Sequence, residues 1–280
     1  MISNENLAAI HGYLCSDGYV ITNPITQKHK YYYIALRNKN ITLLKDFQKK
    51  CNIVFGIKPI ISKQIDRCKI QNKKLFIRLT SEFGSFYSHE WKMPTMNKKS
   101  LRRWMRAYFD CDGWVRVLKA KDRKIGLESV NEGGLKEIQS ALLHNFSIKS
   151  NINPKKGRKI YAMNICGKDN LALFKNHIGF LHPEKSKKLE DALDSYMDYN
   201  WSIPQERGKL LQFILQKGRK RESRNEIRFY SILKKNLLLL NALLQKYNIR
   251  SKIFGPWKNN WGSEYFCLIV ISDEIDKIRR

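Results

Sequence analysis

Two aspartates in this chain stand in the same unusual setting. Asp17 and Asp112 each end an apolar helical run and are followed by glycine, an aromatic residue and valine, as Asp17-Gly18-Tyr19-Val20 and Asp112-Gly113-Trp114-Val115. An aspartate before a glycine cap is badly placed, because its charge opposes the negative end of the helix dipole. Two such placements call for a cation. Five positions before each aspartate is a small residue, Gly12 in one run and Ala107 in the other. Small residues let two helix backbones approach closely. Packed side by side, the two helices would bring both carboxylates to one place, a divalent-metal site made by duplication. Mg2+ takes a few carboxylates and fills its shell with water and substrate phosphates, so two aspartates suffice as protein ligands for phosphodiester hydrolysis.

The elements that must position these acids repeat along the chain. After Gly18, Tyr19 to Ile25 and His29 to Arg37 read as strands, and Asn40 to Cys51 as a helix with Ile41, Leu44 and Phe47 on one face. Lys58 to Ile65 and Lys74 to Leu79 read as two more strands, with a short helix from Phe83 to Ser88. The second unit has the same order. Its strands are Trp114 to Ala120, Lys124 to Ser129, Ile148 to Asn153 and Lys159 to Ile165, with helices over Leu135 to Asn145 and 169–178. The expected class is α+β, a tandem α-β-β-α-β-β-α repeat.

A third copy follows. Trp91-Lys-Met-Pro94 has a partner in Trp201-Ser-Ile-Pro204, and residues 142–152 align with 243–253. Its helix, KLLQFILQKGR, ends on Lys217-Gly218, and Gln212 replaces the small contact residue. This copy can hold no metal in the same way and reads as a degenerate, partial repeat. Its basic stretch GRKRESR (218–224) suits a nucleic-acid backbone. The expected boundaries are 1–95, 96–195 and 196–280.

The segments IHGYLCSDG and MRAYFDCDG resemble the paired motifs of the LAGLIDADG homing endonucleases in their single-chain, two-motif form. Cys15 replaces the first acid of copy one, and Asp110 keeps it in copy two. The resemblance runs from residue 1 to about 195, including the phrase IGFLHPEKSKKL. It implies a site-specific DNA endonuclease that makes a double-strand break with short 3′ overhangs at a long target. The implied metal is Mg2+, with Mn2+ able to substitute, held by Asp17 and Asp112 beside Gly18 and Gly113. Polar residues at the end of strand two should position water: Asn38 or Lys39 in the first repeat, Ser129 or Asn131 in the second. Lys185 is a candidate phosphate partner. The sheets would form a saddle on duplex DNA, with every second strand residue facing it. Candidates are Tyr31, Tyr33, Lys63, Arg67 and Lys74, with Arg78, Arg116, Lys119, Arg123 and Lys159. The same scaffold is also implied for RNA maturases, with an intron RNA as partner, and for DNA-binding proteins that do not cleave. A start at Met1 without Cys or Ser, and an end without His-Asn, lead us to expect a free-standing, intron-encoded endonuclease and not an intein.

Bulk properties agree. The 280 residues carry a net charge of +28, far beyond what solubility needs, so a polyanion is the expected partner. No stretch approaches the roughly 20 apolar residues of a spanning helix, and the N-terminus has no signal pattern. An intracellular, unsecreted monomer is expected. The six cysteines form no C-x-x-C pair, and His177 and His182 join no cluster, so zinc is not expected.

Overall fold

The computed structural model describes residues 2–23, 26–28, 31–118, 122–196, 200–258 and 264–275. The chain divides into two compact units, Met1–Tyr196 and Met197–Arg280. The first begins with α1 (Glu5–Cys15), β1 (Gly18–Thr22), β2 (Tyr32–Arg37), α2 (Ile41–Phe55), β3 (Ile60–Ser62), β4 (Arg67–Gln71) and α3 (Lys73–Phe83). It repeats as α4 (Lys98–Asp112), β5 (Trp114–Leu118), β6 (Asp122–Ser129), α5 (Glu132–Phe146), β7 (Asn151–Pro154), β8 (Tyr161–Cys166) and α6 (Lys168–His177), and then adds α7 (Pro183–Asp194). Each repeat folds into one antiparallel four-stranded sheet, ordered β1-β2-β4-β3 and β5-β6-β8-β7.

Asparagine starts most of these helices. Asn4, Asn40, Asn72, Asn97 and Asn131 each accept a backbone N–H of the first turn, satisfying donors that the helix itself cannot pair. Strand alternation then sorts the two sheet faces. In the first sheet Val20, Ile34, Leu36, Cys68 and Ile70 are buried with the helices, while Tyr19, Tyr33, Arg37, Arg67 and Lys69 lie on the opposite face. In the second, Ile125, Leu127, Met163 and Ile165 are buried.

Several sequence expectations change. KLFIRL is not a strand but lies in α3, because Asn72 caps it through Leu75 N–H and the four-residue spacing of Leu75 and Leu79 buries one helical face. The fourth strand is instead Arg67–Gln71, just before that helix. The proposed strand Lys58 to Ile65 shortens to β3 plus a 3-10 turn, Lys63–Ile65. The short helix expected from Phe83 is absent among the described residues, since α3 stops at Gly84, whose φ of 75° breaks the helix. Residues 24, 25, 29, 30 and 119–121, the ends of three expected strands, lie outside the described residues.

The second unit contains α8 (Arg207–Lys217), β9 (Arg219–Arg221), β10 (Glu226–Ser231), α9 (Lys234–Lys246), β11 (Ser251–Lys258) and β12 (Glu264–Ile271). Its sheet, β9-β10-β12-β11, has the strand order of the other two. The third copy is therefore degenerate in its motif while its sheet is whole. Its own core joins Leu210 and Ile214 of α8 to Phe229, Leu240 and Leu268. Among the described residues, no helix is long and apolar enough to cross a membrane.

Candidate functional site

The two motif helices, α1 and α4, form the tightest helix pair of the first unit. A Cβ on Gly12 would lie 2.5 Å from the Trp104 carbonyl oxygen and 3.2 Å from Ala107 Cβ. Only glycine opposite alanine permits that approach. Beside it, Trp104 Nε1 donates to His11 Nδ1 at 2.9 Å, and burial pushes the His11 pKa down to about 3. The imidazole is thus a neutral acceptor that registers the seam. The glycines after the acids are steric requirements as well. A Cβ on Gly18 would sit 2.3 Å from Leu14 Cα, and one on Gly113 2.4 Å from Phe109 O. The strand can leave the helix end at that angle only without a side chain.

The seam delivers both acids to the same end. Charge on Asp17 acts on Cys111 of the other motif, and charge on Asp112 acts on Cys15, so each acid faces the partner helix across the pseudo-dyad. Burial first, and then the Asp17 charge, push the Asp112 carboxyl up to about 7, against the pull of the Tyr108 hydroxyl and the Lys185 ammonium. Asp112 opens on a cavity of about 270 Å³ lined by Cys15, Ser16, Tyr108 and Ser129.

The side chains holding the two acids differ. Asn38 Nδ2 donates to Asp17 Oδ2 at 2.6 Å, and Asn38 Oδ1 accepts the Asn40 backbone N–H at 2.8 Å. Ser129 is its counterpart: its Oγ accepts the Asn131 backbone N–H at 3.1 Å, and Tyr108 links it to Asp112. Of the alternatives read from the sequence, the structure pairs Asn38 with Ser129. Lys39 is exposed, and Asn131 is a buried cap that accepts from Gly134 N–H and donates to the Trp91 carbonyl. Tyr108 was not anticipated. It stands four residues before the acid, as Tyr13 does in the first motif, but Tyr13 donates to Asp46 on α2.

Lys185 does not face outward for phosphate. Its Nζ donates to the carbonyls of Phe109 (3.3 Å), Asp110 (2.5 Å) and Cys111 (2.9 Å), placing a cation on the C-terminal end of α4. Asp110 is fully buried and accepts the backbone N–H groups of Leu181 and His182, both at 2.9 Å. Burial pushes its carboxyl up to about 6. Both residues tie the lead-in of α7 to the motif helix, which explains why the IGFLHPEK phrase accompanies the motif.

Register divides the expected DNA contacts. Tyr33 and Arg67 share the exposed face of the first sheet with Arg37 and Lys69, and Tyr31 stacks on Tyr33 with ring centroids 5.7 Å apart. Arg116 pairs across the second sheet with Lys124, on its exposed face, and forms an ion pair with Asp122 at 3.2 Å. Arg123 points the other way, donating to Ser195 Oγ at 2.6 Å and Ser195 O at 2.8 Å. It is a clamp on α7. Lys74 and Arg78 lie on α3, where Arg78 pairs with Glu82, so neither is on a strand. Lys63 sits in the 3-10 turn and Lys159 in the turn before β8, while Lys119 lies outside the described residues.

Residues 99–179 match the family model of the LAGLIDADG-like domain. The chain is 25% identical over 226 residues to glutamine–fructose-6-phosphate aminotransferase (isomerizing) of Methanocaldococcus jannaschii, covering 74% of this chain and 19% of that protein. It is 29% identical over 181 residues to a probable translation initiation factor IF-2 of Thermococcus kodakarensis, covering 64% and 13%. With the replication factor C small subunit of the same organism it shares 33% over 98 residues, covering 34% and 11%. The chain thus spans less than a fifth of each of these curated relatives. Among solved structures, I-DmoI in complex with DNA and Mn is similar at 16% identity and a TM-score of 0.46, over 62% of this chain and 96% of that one. I-WcaI bound to its DNA recognition sequence gives 16% and 0.44, over 68% and 88%. The N-terminal LAGLIDADG domain of DUF199/WhiA gives 12% and 0.41, over 62% and 82%. Residues 99–179 thus match the LAGLIDADG-like domain, and the motif within them has a second copy at residues 10–18, so the chain resembles the LAGLIDADG homing endonucleases.

Proposed function

We propose that the protein is a site-specific, metal-dependent endonuclease acting on duplex DNA, with 1–95 and 96–195 as its two half-site modules. The observation that carries this reading is the pair of acids at the α1–α4 seam. The two carboxylates lie near enough to interact, and burial first, then the Asp17 charge, hold the Asp112 carboxyl up at about 7, so that a proton competes for it near neutrality. Lys185, the nearest ammonium, is spent on helix carbonyls. A divalent ion fits such a donor set and would keep both groups ionised. Among the described residues, no group of three or more His, Cys, Asp or Glu could hold a metal, so phosphate oxygens from DNA would complete the shell.

Mg2+, or Mn2+ in its place, would polarise the scissile phosphate and favour ionisation of the attacking water. The chain's own residues do the rest. Asn38 fixes the rotamer of Asp17, and the Tyr108–Ser129 pair fixes Asp112. Lys185 and Asp110 hold the end of α4 at a set angle. Arg37, Arg67 and Lys69 on one sheet and Arg116 and Lys124 on the other supply cations for the phosphate backbone. One acid per repeat assigns each repeat one DNA strand, which gives a double-strand break.

The test is Mg2+-dependent cleavage of a large mixed DNA library with every break mapped by sequencing. Breaks concentrated at one long site with short 3′ overhangs are expected. Tight binding without breaks in either Mg2+ or Mn2+ would refute the nuclease and favour a maturase or a non-cleaving DNA-binding protein.

A further inference from the structure

The second unit keeps the sheet and lacks the acid, and the exposed face of that sheet joins its cations to a continuous run of four rings, where the first sheet has the Tyr31–Tyr33 pair. Register places Ile227, Phe229, Leu268 and Val270 on the buried face. Their alternates form the other face. Arg219 and Arg221 on β9 flank Arg228 on β10, and Lys252 on β11 closes the far edge. Between them runs a band of rings. Tyr230 lies 6.2 Å from Tyr265, Tyr265 lies 5.7 Å from Trp257, and Trp257 stacks on Phe254 with centroids 6.4 Å apart and planes inclined by 7°. Phe254 and Trp257 would fall on opposite faces of a regular strand. A shift of register between them, at Gly255 and Pro256, returns Trp257 to the face of Phe254. Trp257 is 42% exposed and Tyr230 is 40% exposed, although a sheet face could bury both. The cations lie beside the rings, Lys252 at 5.3 Å from the Phe254 centroid and Arg219 at 5.9 Å from that of Tyr230.

We propose that this face is a platform for single-stranded nucleic acid, separate from the duplex-binding sheets of the first unit. Cations at the edges suit a phosphate backbone, and exposed rings between them suit unpaired bases, each of which has a π face to stack. A paired duplex keeps its base faces inside and offers this band nothing. Stacking on rings accepts any base, so sequence preference should be weak. The platform is read from β9–β12 alone and needs no cleavage activity; its separation from the first unit rests on the duplex binding proposed for that unit.

The test uses the full chain and a fluorescent oligothymidylate of about 12 nucleotides, within the span of one small platform. Binding is measured with unlabelled duplex in excess, so that the first unit is occupied. We expect the single strand to stay bound. Trp257→Ala should weaken it about tenfold with the salt dependence unchanged, and Trp257→Phe should restore most of the loss. Arg219→Gln with Arg221→Gln should instead flatten the slope of log affinity against log salt by about 1.4, roughly 0.7 for each lost phosphate contact. All these positions are exposed, and an unchanged melting midpoint verifies the fold. Displacement of the oligomer by duplex, or an unchanged affinity in Trp257→Ala, would overturn the proposal.

Discussion

Replacing Asp112 with asparagine should stabilise the metal-free protein at alkaline pH, even though it removes a proposed metal ligand. The folded carboxyl is pushed from an ordinary 3.8 to about 7. Between those values the native state keeps a proton that the unfolded chain has released, so stability falls as pH rises and then levels off above about 7. Three units at about 1.4 kcal/mol each give roughly 4 kcal/mol. Because the acid lines an open cavity and is not sealed in the core, about 2–4 kcal/mol is the expected range. Asparagine carries no such term. The variant and wild type should be close in stability near pH 4, and by pH 8 the variant should lead by that full range. Urea unfolding in EDTA at pH 4.5, 6 and 8, followed by far-UV circular dichroism, measures this directly. Adding Mg2+ at pH 8 should stabilise the wild type by mass action and leave the variant almost unmoved. A variant less stable than wild type at pH 8, or a difference independent of pH, would refute the claim that Asp112 is buried at the seam without a compensating cation.

Gly12→Ala should cost about 2–3 kcal/mol of stability, since its Cβ meets the Trp104 carbonyl at 2.5 Å, and cleavage should fall with it; urea midpoints read the first and plasmid nicking the second. Lys185→Met should destabilise the first unit by about 2–3 kcal/mol through the Asp110 and Cys111 carbonyls, while Phe109 O keeps the Gly113 N–H, yet leave the salt slope of DNA binding unchanged, because that ammonium is held by helix carbonyls. Arg67→Ala should flatten the salt slope by about 0.9, the value for one phosphate contact. Arg123→Ala should leave the slope alone and lower stability by about 1–2 kcal/mol, since its guanidinium clamps Ser195 and covers Tyr196. Asn38→Ala should lower the cleavage rate more than DNA affinity, because the amide holds the Asp17 carboxylate proposed to bind metal; single-turnover kinetics separate the two.

The seam was legible because its chemistry is local. Gly12, Ala107 and the Asp-Gly pairs stand at fixed offsets within single helices, and helical geometry converts those offsets into a face. The repeat was legible for the same reason, down to the third copy. What failed was period and register. KLFIRL satisfies a strand by its apolar content and a helix by its four-residue spacing, and only the Asn72 cap decides between them. Arg116 and Arg123 look alike in the sequence, but one residue of register turns Arg123 toward α7. Lys185 and Asp110 lie 75 residues apart, and no local pattern shows that one end of α4 needs both. The α7 helix itself could have been read from Pro183 at its first position and Glu184 beside it, both favoured at helix starts.

The central claim is that Asp17 and Asp112 make two cleavage centres across a pseudo-dyad, one for each strand. At a mapped target, strand-resolved cleavage by wild type, Asp17→Asn and Asp112→Asn in Mg2+ tests it most directly. Each single variant should lose the double-strand break, leaving a nick on one strand or no cut, while duplex affinity stays within a few fold of wild type. Double-strand breaks at the wild-type rate in either variant would contradict the account.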